Sequence, residues 1–108
     1  MLGAQGQYAL MKFDPVGQFL QMLSVERNAA RPTLDAYGRD LADLCETLGV
    51  DARGLLQLGE ADIARYFEAL AARGLAASSL LRRRSAIRQF YRFALAENLV
   101  AADPTRKV

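Results

Sequence analysis

The chain of 108 residues has no histidine and a single cysteine, and no apolar run reaches the roughly 18 residues that a membrane helix needs. Each absence removes a class of function. Without histidine, the commonest general base and the usual imidazole metal ligand are both missing. Cys45 alone can form neither an intrachain disulfide nor a cysteine zinc cluster, so the reducing cytoplasm is the expected location. Strict apolar and polar alternation never runs far between turn signals, which leaves no convincing strand, and no internal repeat or low-complexity segment is present. No metal or cofactor site is expected.

What is present suits one globular unit, with 52% hydrophobic and 24% charged residues in a chain too short for two comfortable cores. The opening MLGAQGQYALMK lacks the charged start and long apolar block of a secretory signal. It reads as a loose extension over residues 1–13. Four helical segments follow. The first opens at Asp14 and Pro15, an acidic N-cap before a proline whose missing N–H costs nothing, sets Val16, Phe19, Leu20 and Leu23 on one stripe, and ends near Asn28. The second runs from Pro32 through Leu34, Tyr37, Leu41, Leu44, Cys45 and Leu48 to a left-handed stop at Gly49. A loop with room for one short turn leads to a third, from Gly59 and Glu60, with Asp62 near its positive end, Ile63, Phe67 and Leu70 inward, and Gly74 as its stop. The fourth takes a serine cap near Ser78 and frays at Asn98, before Asp103 and Pro104 break into a tail. The pattern predicts an all-α bundle with a core of Phe19, Leu20, Leu23, Leu41, Leu44, Ile63, Phe67, Leu70, Ile87 and Tyr91.

Charge is uneven along this chain. Its net value is only +2, yet residues 34–69 hold eight acids and three bases, whereas residues 70–96 hold six arginines and no acid. Such a dipole suits a nucleic-acid face, and equally a surface for an acidic protein. On a wheel at 100° per residue, Leu80, Ile87, Phe90, Tyr91 and Ala94 gather on one side of the fourth helix. Ser78, Arg82, Ser85, Gln89 and Arg92 fall in a stripe opposite. A solvated face ordinarily mixes both charge signs, and this one does not; arginine, glutamine and serine are residue types that contact phosphates and base edges.

Three runs carry a resemblance. TLDAYGRDL at 33–41, ADIARYFEALAARGL at 61–75 and SSLLRRRSAIRQFYRFALAENLVAADPT at 78–105, in this order and spacing, resemble the N-terminal core-binding domain of Xer-type tyrosine recombinases and phage integrases over roughly residues 16–105. The resemblance implies a SAM-like domain of four main helices in two crossed hairpins, forming half of a clamp around a recombination half-site of double-stranded DNA. It implies a core-binding domain over 14–102, the start of an interdomain linker over 103–108, an isolated domain that is monomeric, and further recombinase subunits in a tetramer on DNA. It places helices two and four at the DNA, with Thr33, Tyr37 and Arg39 on the former and Ser78, Ser79, Arg82, Arg83 and Arg88 on the latter as contacts. The wheel adds Gln89 and Arg92.

Each contact has a plainer reading. Thr33 fits a first helical turn, Tyr37 lies on the apolar stripe, Arg39 can pair with Asp35 or Asp43, and Arg88 can lay its stem across the core edge. Two positions depart from the family pattern: Arg84 stands where relatives carry an apolar residue, and Ala76 where they carry serine. Arg84 either snorkels from the core edge or makes a contact of its own. The family's tyrosine nucleophile and its arginine and histidine partners belong to a second domain, so this domain is expected to be noncatalytic, supporting DNA integration, recombination or chromosome dimer resolution. The rival readings are a helical protein-interaction module and a free-standing regulator of helix-turn-helix type.

Overall fold

In a computed structural model, residues 13–108 are described, and they form four α-helices and one 3₁₀ turn. Helix α1 (Pro15–Arg27) begins where Asp14 Oδ1 accepts the Val16 N–H at 3.1 Å and Pro15 enters the first turn. It closes at Asn28, whose φ of 51° lets the Ala29 N–H reach the Leu23 carbonyl at 3.0 Å. Helix α2 (Arg31–Leu48) starts one residue before Pro32 and has no side-chain cap. It stops at Gly49, with φ at 70°.

The expected loop between the second and third helices carries a 3₁₀ turn at Arg53–Gln57, and Leu55 in that turn is fully buried. Helix α3 (Glu60–Ala71) is fastened at its start by Asp62, whose Oδ2 accepts the Gly59 N–H at 2.8 Å. It ends three residues short of Gly74, and that glycine, at φ 66°, instead turns the chain toward the next helix. Helix α4 (Ala77–Ala96) departs from expectation at its start. Ala76 occupies the extended N-cap position with no side-chain hydrogen bond, and Ser78 lies inside the first turn rather than capping it.

Among the described residues there is no strand, and the all-α expectation of four main helices holds. Helix α4 lies against α1 and α2, and α3 packs on α2. The core holds Phe19 and Leu23 from α1, Leu41 and Leu44 from α2, Ile63, Tyr66 and Leu70 from α3, and Ala86, Ile87, Phe90, Tyr91 and Ala94 from α4, with Leu55 closing the gap between. Leu20 and Phe67, expected inside, are only half-buried; Tyr66 takes the inward place on α3 instead. A hydroxyl did not keep it out because a partner stands at the core's edge: Tyr66 donates to the half-buried Asp43 Oδ2 at 2.6 Å. An edge-on contact of Phe19 with Phe90 at 5.7 Å joins α1 to α4, and within α4 Phe90 meets Tyr91 edge-on at 5.0 Å. The Tyr91 hydroxyl donates to the buried Leu55 carbonyl at 2.7 Å, which ties the 3₁₀ turn to α4.

Beyond α4 the chain stays on the domain. Pro104 and Thr105 are buried, Thr105 donates through its N–H and hydroxyl to Asp103 Oδ1, and Arg106 and Lys107 each lie 3.5 Å from Glu60 carboxylate oxygens.

Candidate nucleic-acid interface

Two carboxylates on α2 organise the arginines of α4. Asp40 is 1% exposed and receives both Nε and Nη2 of Arg82 at 2.9 Å, a two-bond pair that joins α2 to α4. The Asp40 hydrogen bonds hold the Arg82 guanidinium pKa above its ordinary value. One turn along, Asp43 accepts from Arg83 Nη1 at 2.9 Å, from Arg73 Nη1 at 2.9 and 3.0 Å, and from Tyr66. Arg73 also donates to Thr47 at 2.7 Å. Burial pulls the Asp43 pKa upward, but the bonds from Tyr66 and Arg73 and the charges of Arg73 and Arg83 outweigh it, and the net shift is downward. Burial, then the bond to Asp43, pushes the Tyr66 phenol up to about 12.

Three of the five residues in the stripe expected to face outward, Arg82, Ser85 and Gln89, run along this seam, while Ser78 and Arg92 stay exposed. Gln89 donates to Ser85 Oγ at 2.8 Å and to the Tyr37 hydroxyl at 3.1 Å, and Arg27 of α1 donates to Gln89 Oε1 at 3.3 Å. Ser85, Gln89 and Arg82 are half-buried, so the true outer face of α4 is rotated from the expected one. That outer face carries Leu81, Arg84, Arg88, Arg92 and Leu95, of which only Arg88 is partly covered. The rotation follows from α1 and α2 both packing on one flank of α4, which a wheel of one isolated helix does not contain.

The candidate residues therefore fall into two groups. Arg82, Arg83, Gln89 and Tyr37 are engaged within the domain, Tyr37 in a hydroxyl cluster as well as on the core margin. Thr33, Arg39, Ser78 and Arg92 are exposed, and Ser79 and Arg88 are half-exposed. Arg39 pairs with neither Asp35 nor Asp43, since Arg31 lies 3.3 Å from the first and Arg73 and Arg83 hold the second. Among the described residues, Arg39, Arg84, Arg88 and Arg92 lie in no salt bridge. Residue patterns did not single out Asp40, marked Asp43 only as a partner for Arg39, and placed Ser85 only in the outward stripe. The available signal was two acids at i, i+3 on the flank of an apolar stripe, in a chain with adjacent Arg82 and Arg83 needing partners.

A bundle of this architecture with an acid-free fourth helix agrees with the outcome of comparison. The family described as "Phage integrase, N-terminal SAM-like domain" matches residues 16–98. The chain belongs to this family. Curated relatives of the SAM-like domain include tyrosine recombinase XerD of Caulobacter vibrioides, 49% identical over 90 residues that make up 83% of this chain and 30% of the relative. Tyrosine recombinase XerD of Agrobacterium fabrum is 49% identical over 87 residues, 81% of this chain and 26% of the relative. The same-named protein of Ralstonia nicotianae is 40% identical over 93 residues, 86% and 30% of the two chains. The chain thus spans less than a third of the length of these relatives. No solved structure matches it.

Within the SAM-like domain, no group of three His, Cys, Asp or Glu side chains with metal-holding geometry occurs among the described residues. No helix among them is long and apolar enough to cross a membrane.

Proposed function

We propose that the domain binds duplex DNA at a recombination half-site, as one part of a clamp completed by a catalytic domain of a tyrosine recombinase, with further subunits assembling on the DNA. The observation that carries this reading is the division of charge. Asp40 and Asp43 neutralise the inward arginines, while Arg39, Arg84, Arg88 and Arg92 keep theirs. Arginines on one helix face at i, i+4 and i+8 rise about 6 Å per step, a spacing comparable to that of successive phosphates along a strand. Thr33 and the serines at the start of α4 add small donors beside them.

This domain supplies position and not chemistry. Tyr66 and Tyr91 hydroxyls are committed to Asp43 and the Leu55 carbonyl, Tyr37 shares its hydroxyl with Ser85 and Gln89, and no histidine is present to assist a phosphoryl transfer. Incubation with a nicked suicide duplex is expected to yield no covalent phosphotyrosyl adduct. Fluorescence anisotropy with a labelled 30-base-pair duplex across a salt series tests the binding itself. Three or four neutralised phosphates give a slope of log affinity on log salt of about −3 to −4. Affinity indifferent to salt overturns the reading, and favours a protein-interaction module built on the apolar hollow beside α3 and α4, where Leu81 is 63% exposed.

A further inference from the structure

The arginines of α4 are of two chemical kinds. Arg84, Arg88 and Arg92 bring full charge to water, whereas Arg82 is already matched by Asp40 at 2.9 Å through both carboxylate oxygens. A phosphate brought to Arg82 meets the Asp40 carboxylate as well, and like charges close together cancel most of the gain. The pair is thus a poor anion site. What it has is direction. Nε and Nη2 are spent on one edge of the guanidinium, so the plane is fixed, and Nη1 with the second N–H of Nη2 forms a free edge on a side chain that is 41% exposed. A neutral partner with two acceptors side by side gains from a fixed fork and loses far less to the carboxylate than a phosphate does. Guanine, with N7 and O6 in the major groove, is such a partner. An arginine already held in place also has less rotamer freedom to lose on contact.

We propose that Arg82 reads one guanine edge and that Asp40 is the positioning residue that sets its fork, leaving phosphate contacts to the unpaired arginines. The proposal rests on the DNA-binding reading above.

The test selects duplexes from a pool with a randomised 20-base-pair centre, using the 108-residue chain, and then measures relative affinities for a selected duplex and its single-pair variants. The parent is expected to prefer G·C at one position by about tenfold. Arg82→Lys, and the pair deletion Asp40→Leu with Arg82→Met, are expected to lose that preference while keeping the others. Asp40→Asn keeps the Arg82 charge but frees its fork, and is expected to weaken the preference without weakening binding to unrelated duplexes. A merely structural pair would lower all affinities alike. The salt slope of the folded pair deletion should match the parent; a slope shallower by about 0.9 marks Arg82 as a phosphate contact and overturns the proposal. An undiminished preference in Arg82→Lys or in the pair deletion also overturns it. A parent that binds with salt dependence but selects no sequence sinks this proposal alone, and a parent that binds no duplex sinks the DNA-binding reading with it.

Discussion

Asp43 is the residue on which most polar bonds converge, taking Tyr66, Arg73 and Arg83 at 2.6 to 3.0 Å. Because its pKa is lowered in the fold, its contribution to stability is present above the ordinary value of 3.8 and is lost as the pH falls below it. Thermal melts between pH 7 and pH 2.5 should show an acid limb that Asp43→Asn flattens. Tyr66 has the opposite sign: its raised pKa gives stability that is full below pH 10 and is lost as the pH climbs toward about 12. Asp40 differs, being buried while its partner reaches water. Asp40→Ala should cost about 1–3 kcal/mol by chemical denaturation, less than a fully buried pair because Arg82 can turn outward. Arg82→Glu, which a wheel alone marks as harmless to the fold, sets a carboxylate against Asp40. It should lower the melting temperature as well as any DNA affinity, so Arg88 and Arg92 are the cleaner positions for charge reversal.

At the scale of elements, most boundaries were legible because local chemistry sets them. Asp14 and Pro15 start α1, and Asn28 and Gly49 end two helices, through backbone needs that each residue meets by itself. Gly74 misled for a related reason: a left-handed glycine marks where the chain turns, and α3 had already ended. Packing was less legible. Adjacent Tyr66 and Phe67 compete for the same inward place, and the choice depends on Asp43, which lies on another helix. Phe67→Ala should therefore cost only about 1–2 kcal/mol, well below a fully buried aromatic. Leu55→Ala, in a segment that carries no helical period, should cost about 2–5 kcal/mol, because Leu55 is fully buried beneath Tyr91. Equilibrium urea unfolding of the two variants decides between this ranking and its reverse.

For the molecule as a whole, the charge asymmetry seen along the chain is partly cancelled by folding. The acids of α2 meet the bases that follow α3 and open α4, so the surface holds fewer free arginines than residues 70–96 suggest. Arg88→Glu and Arg92→Glu should each weaken duplex binding roughly tenfold at low salt and make the salt slope shallower by about 0.9, with melting temperatures unchanged. Arg53→Glu, exposed in the 3₁₀ turn, is the control that should leave binding as it was. The amino-acid sequence by itself determined the helices, the family and the bias of charge toward α4, since periodicity, caps and composition are properties of neighbours in the chain. Only the tertiary structure decided which arginines remain free. Whether a guanidinium meets water or a carboxylate depends on how α2 lies against α4, and Asp40 and Arg82, 42 positions apart, share no local signal that they will meet.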